Sequence, residues 1–130
     1  MLEIEQGLVS DFITQAFGLP IAHENDDYTP TKGTPWVRLR VFQNPIEPVG
    51  INDLSETTGV FQFTLHYPLG AGAITAKSQA DTIFAAYPLR RRITYSGQVI
   101  LVTGQHVLSA APIDGWFQVV GRIEYRAYLD

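Results

Sequence analysis

Ile4, Leu8, Val9, Phe12, Ile13, Ala16 and Phe17 recur at intervals of three and four, which is the spacing of one apolar helix face. Glu3 and Glu5 fall in the first turn of that helix, where the dipole favours negative charge, and Gly18 with Pro20 predicts its end. Residues 23–35 hold Asp26, Asp27, Thr29, Pro30, Gly33 and Pro35 and read as a loop. From Trp36 the period changes to two: Val37, Leu39 and Val41 alternate with Arg38, Arg40 and Gln43 or its neighbours, as in a half-buried strand. A second strand places Phe61, Phe63, Leu65 and Tyr67 on one side and Val60, Gln62, Thr64 and His66 on the other. Between the two, residues 44–58 contain Pro45, Pro48 and Gly50 and exceed an ordinary hairpin connection, which predicts a functional or mobile arm.

Pro68 and Gly70 close the second strand, and Ala73, Ala76, Ala80, Ile83, Phe84 and Tyr87 then return to helical spacing until Pro88. The alanines of this second helix predict close packing on the sheet. Two more strands are expected, at 98–110 and 116–129, joined by a turn at Pro112, Asp114 and Gly115. In the last strand Phe117, Val119, Ile123, Tyr125, Ala127 and Leu129 share a side, with Gly121 the gap in the row. The order α, β, β, α, β, β predicts a single α+β domain over residues 1–130: a mainly antiparallel sheet of four to five strands with two helices packed on one face.

The other face would then be open. Alternation assigns to it Trp36, Arg38, Arg40 and Phe42, then Gln62, Thr64 and His66, and finally Trp116, Gln118, Val120, Arg122, Glu124, Arg126 and Tyr128. Trp, Tyr and Arg are enriched at the centres of protein interfaces, so this face is a candidate self-assembly or docking surface. A solvated antiparallel face with amphipathic side chains is the alternative.

Composition narrows the classes. The chain is 45% hydrophobic and only 17% charged, below the usual level of about 25%, so part of its surface is expected to be covered by a partner. The absence of cysteine excludes a disulfide scaffold, a thiolate zinc site and a cysteine nucleophile. A net charge of −4 gives no reason to expect sequence-specific nucleic-acid or membrane binding. No Lys or Arg precedes Lys32, so no secretory or transit signal is read at the start. Residues 93–113 carry no Asp, Glu, Lys or Arg, but polar residues interrupt them, and the stretch reads as buried strand rather than membrane span.

Candidate chemistry is sparse. His23, His66 and His106 are not spaced to share a metal, and structural or surface roles are favoured. Asp26 and Asp27 lack the alternating oxygen ligands of a calcium loop, so turn and cap duty is preferred. Gly70-Ala71-Gly72 has Thr75 where a dinucleotide fingerprint needs its third glycine and lacks a P-loop lysine, and reads as a flexible helix entrance. No serine sits in a nucleophile elbow. Arg90, Arg91 and Arg92 follow the second helix and are read as capping its carbonyl end, with docking of an acidic partner as the alternative. No catalytic, cofactor or metal residue is assigned.

Residues 25–38, Asn-Asp-Asp-Tyr-Thr-Pro-Thr-Lys-Gly-Thr-Pro-Trp-Val-Arg, resemble the opening signature of a family of small bacteriophage tail proteins. Gly59-Val60-Phe61-Gln62-Phe63, Tyr67-Pro68-Leu69-Gly70-Ala71-Gly72, Ala80-Asp81 and Gly115-Trp116-Phe117-Gln118-Val119 are similar to its later segments, in order. This family is similar in turn to the tail terminators of long-tailed phages, typified by the lambda tail terminator. The resemblance implies a non-enzymatic virion protein of a phage or prophage, assembled in the host cytoplasm. It would form a ring, usually a hexamer, that caps the tail tube and offers a docking surface to the head–tail connector protein. Trp36, Arg38, Arg40, Phe42, Trp116, Arg122 and Arg126 become provisional assembly residues, and Tyr28, Pro30, Gly33 and Pro35 form the loop motif. A head completion or neck adaptor protein is the first alternative. A small-molecule-binding or catalytic α+β domain is the second.

Overall fold

The computed structural model describes residues 2–24, 27–48, 55–70 and 73–129. Helix α1, Leu2–Gln15, buries Ile4, Leu8 and Phe12 of the predicted stripe together with Gly7, while Val9 is half-buried and Ile13 is exposed. It stops a turn before Gly18, because Ala16 takes a left-handed φ of 53°. Phe17 nevertheless keeps its place against the core, with its ring 4.9 Å from that of Phe12. Helix α2, Ala73–Ala86, turns the buried Ala76, Ala80, Ile83 and Phe84 toward the sheet, and the small side chains at two of these positions permit the close approach read from the sequence.

Among the described residues seven strands follow in order: β1 Ile21–Ala22, β2 Trp36–Gln43, β3 Glu47–Pro48, β4 Ser55–Pro68, β5 Arg92–Tyr95, β6 Gln98–Ile113 and β7 Trp116–Leu129. They lie in the order β1-β2-β4-β7-β6-β5, with β3 also on β4. β1 runs parallel to β2 and every other pair is antiparallel. The expected layer of four to five antiparallel strands with two helices on one face is therefore incorrect. Half of the structure is strand, and the seven strands form a mixed sheet curled into a half-barrel. β1, β3 and β5 are too short to display a period of two, and pairing with a longer neighbour is what makes them strands.

The curl has identifiable sources. Register shifts interrupt the β6–β7 ladder between Val102 and Gly104 and between Val107 and Ser109, and such bulges bend and twist a strand. Two glycines also face aromatic residues across the β4–β7 ladder: Gly59 pairs with Tyr125, and Gly121 with Phe63. A Cβ on Gly121 would stand inside the Phe63 ring. The gap in the last strand's apolar row is thus filled from the neighbouring strand.

The arm predicted at 44–58 is also revised. Glu47 and Pro48 pair with Glu56 and Ser55, while Ser55–Pro68 is one continuous strand. The run Ser55-Glu56-Thr57-Thr58 lacks apolar alternation, yet Thr57 is buried and donates to the Asn44 carbonyl at 3.0 Å. Gly50 of the arm, Asn25 and Asp26 of the loop, and Ala71 and Gly72 of the helix entrance lie outside the described residues.

Phe12 meets Phe61 edge-on at 5.9 Å, Tyr87 meets Phe61 at 6.1 Å, and Phe84 meets Phe63 at 5.2 Å, so both helices lock onto β4 through aromatic contacts. The exposed carbonyls at the end of α2 are satisfied from outside the helix. Arg91 donates to the Ala86 oxygen at 3.0 Å, in keeping with the capping role read from the arginine run. Gln105 donates to the oxygens of Phe84 and Tyr87 at 3.1 and 2.8 Å.

Candidate functional site

Strand alternation brings Trp36, His66 and Gln118 level across β2, β4 and β7, as their pairing requires. Exposure departs from the expected open face. Trp36 is only 6% exposed. Its indole lies flat on the His66 ring at 3.7 Å, Tyr28 covers it at 4.9 Å, and Trp116 meets it edge-on at 6.1 Å. The loop returns over the strand that follows it, so the monomer itself buries Trp36. Alternation assigns a side chain to a face but does not say what lies on top of that face.

Within the loop motif, Gly33 takes a φ of 81°, which glycine accepts without strain, and Thr34 donates to the Thr31 oxygen at 3.1 Å. Pro30 and Pro35 are half-buried beside this turn. Pro30, Lys32, Pro68, Leu69, Asp114 and Trp116 line a cleft of about 500 Å³ at this end of the sheet. Trp116 is half-buried and forms the aromatic wall.

Burial holds His66 neutral and lowers its pKa to about 4, with the nearby Arg38 charge acting in the same direction. An unfolded histidine titrates near about 6.5. Between these two values the unfolded chain binds a proton that the folded chain refuses, so stability falls as pH drops from about 6.5 to about 4 and this contribution levels off below. The shift corresponds to about 3 kcal/mol at most, and partial solvent screening reduces the expected loss to about 2 kcal/mol. Denaturant titrations across that window should be steeper in pH for the native chain than for His66→Phe, and equal slopes would refute the assignment.

Farther along the same face, Phe42 gathers two cations. The Arg40 guanidinium lies 4.7 Å from its ring centre and that of Arg122 lies 5.9 Å away. Arg122 also donates to the Gln62 amide oxygen at 3.0 Å, and Arg126 faces Glu56 at 3.6 Å. Arg40 reaches Glu24 at 3.9 Å, and Arg38 donates to the His23 oxygen at 3.2 Å. The structure therefore groups Arg38, Arg40, Phe42, Arg122 and Arg126 as a part-exposed lattice of intrachain contacts, with Trp36 and Trp116 at its end beneath the loop. Each such surface pair contributes about 1 kcal/mol or less to stability.

A surface missed from sequence lies along β6. β5 pairs only with 98–101, and the backbones of Arg90 and Arg91 extend that pairing to Val102. From 103 to 113, no strand among the described residues flanks the outer edge of β6. Val107, Leu108 and Ile113 are 51%, 50% and 43% exposed there. The expectation of a buried strand at 93–113 holds for Ile93, Ile100 and Val102 and fails for 105–113, apart from the half-buried Ala111. Natural edges are usually guarded by charge, and this one holds no Asp, Glu, Lys or Arg, although its bulges and Pro112 limit the register of any partner. The usable signal was the same charge-free run, taken together with a neighbouring strand too short to cover it.

Among the described residues no three His, Asp or Glu side chains are grouped to hold a metal ion, and no helix is long and apolar enough to cross a membrane. Among curated proteins, none matches this chain. One solved structure is similar over 97% of this chain and 91% of its own, with a TM-score of 0.73 at 23% identity, a likeness of fold alone. A family model described as phage tail terminator protein matches residues 3–125. The loop, both helices and nearly all of the sheet fall within that match, and the chain accordingly belongs to the phage tail terminator family, a family of structural components of the virion tail.

Proposed function

We propose that this tail terminator assembles as a ring, six-fold in the virion, which caps the finished tail tube and presents a docking surface to the head–tail connector. The observation that carries the reading is the edge of β6 over 103–113, which holds no Asp, Glu, Lys or Arg and which no strand among the described residues flanks. An unflanked strand of this length offers backbone donors and acceptors together with apolar side chains, and strand addition by a neighbouring virion subunit satisfies both. The low charge fraction of the chain fits a protein whose surface is largely covered after assembly. The lattice around Phe42 supplies a second, chemically different surface, as a head-to-tail ring requires.

Purified chain mixed with uncapped tail tubes, and separately with connector rings, should place rings at tube ends in negative-stain images. Leu108→Lys puts a charge on the free edge at a half-exposed position. It is expected to reduce tube capping at least about tenfold while leaving the melting temperature within about 2 °C of the native chain. Undiminished capping by Leu108→Lys would remove β6 from the interface, and binding to connector rings without binding to tubes would move the protein to the neck.

A further inference from the structure

Residues 45–48, Pro-Ile-Glu-Pro, form a second unexplained feature. All four are exposed, Ile46 at 43%, and Glu47 and Pro48 pair with the sheet as the two-residue β3. Prolines at both ends fix φ, so this segment loses little freedom when it docks. At the opposite end of the sheet, the Trp116 cleft has the complementary character. Its walls are Trp116, Pro30, Pro68 and the 56%-exposed Leu69, and Lys32 and Asp114 stand among them. Proline-bearing segments are bound by grooves of this kind, with an aromatic wall and a few polar groups. The stack of Trp36 on His66, set edge-on to Trp116, fixes that wall in place.

We propose that residues 45–48 of one copy seat in the Trp116 cleft of the next copy, with Ile46 as the apolar anchor and Glu47 beside Lys32. Position on the sheet excludes the same contact within one copy. Pro48 pairs with Ser55 at the start of β4, whereas Trp116 pairs with Pro68 at its end. At about 3.3 Å per residue these points lie roughly 40 Å apart along the strand. Segment and cleft are different patches of one chain, and a contact between them is head-to-tail, the type that closes rings. Charge supports the pairing. Glu47 lies directly across from Glu56, a like-charge pair, and Glu56 is the residue that Arg126 faces. A lysine from the neighbouring copy relieves that repulsion. This inference rests on the assembly reading and adds the partner segment to it.

The chain has no cysteine, so a disulfide between copies can be introduced without background. Ile46→Cys/Leu69→Cys, assembled on tail tubes and oxidised, should give a ladder of covalent oligomers on denaturing gels, and neither single variant should do so. Glu47→Lys and Lys32→Glu should each weaken assembly about tenfold, and the two together should restore it. Rings in negative stain without a ladder would overturn this contact and leave the assembly reading standing; absence of rings with the native chain would overturn both. A benzophenone carried on Leu69→Cys that labels tube or connector protein in place of residues 45–48 would likewise overturn it.

Discussion

Gly59→Val should cost at least about 3 kcal/mol, enough to lower the melting temperature by about 10 °C or more. Gly59 stands between the Phe42 carbonyl and the Tyr125 phenol, and any Cβ would overlap both. Tyr125 donates to that same carbonyl at 3.1 Å, tying β7 to β2 across β4. The nearest obstacle is backbone in a paired strand, so it cannot swing aside. Gly121→Ala differs in kind, because the obstacle there is the Phe63 ring. Phe63→Leu should recover part of the loss in Gly121→Ala, giving a coupling of about 1 kcal/mol or more in a double-mutant cycle. Tyr125→Phe should recover little in Gly59→Val, since the carbonyl stays where it was. Chemical denaturation of the native chain and the six variants measures both terms, and a Gly59→Val chain as stable as the native one would mean that β2 and β4 do not approach as closely as described.

Those glycines also mark the limit of what the sequence disclosed. Helical spacing located both helices because each buries apolar residues three and four apart, and period two located β2, β7 and most of β4 for the corresponding reason. The reading stopped near Gly59, where the side chain that occupies the space belongs to Tyr125 on another strand. β1, β3 and β5 exist because β2, β4 and β6 pair with them, and nothing local announces a strand of two to four residues. The charge-free run at 93–113 was ambiguous for a related reason. Lack of charge is shared by buried strands and by strands kept for a partner, and only the length of β5 separates the two cases. On the outer face, alternation set Arg40, Phe42 and Arg122 on one side, where their side chains meet. It could not reveal that Tyr28 folds back over Trp36, since the loop has no periodicity to read.

Asp11→Ala is expected to lower stability by about 2–3 kcal/mol. Arg91 grips the Asp11 carboxylate with both terminal nitrogens, at 2.8 and 2.6 Å, and its guanidinium lies 5.2 Å from the Tyr87 ring. The side chains of Arg91 and Asp11 are 25% and 15% exposed, so water replaces the lost bonds poorly. The carboxylate raises the Arg91 pKa, and burial together with the Asp11 charge pushes the Tyr87 phenol well above its ordinary range. Arg91→Lys retains a charge but loses the fork and should cost about 1 kcal/mol or more. Asp11→Leu/Arg91→Met should regain much of the loss, because an apolar pair leaves no buried charge unmatched. The consequence reaches the free edge. The backbones of Arg90 and Arg91 make the final bonds to Val102 before β6 is left unflanked. Asp11, by holding Arg91, fixes where that cover ends. Amide exchange at Val102 should therefore accelerate in Asp11→Ala well before global unfolding, and protection equal to that of the native chain would show that α1 has no part in setting the length of the exposed edge.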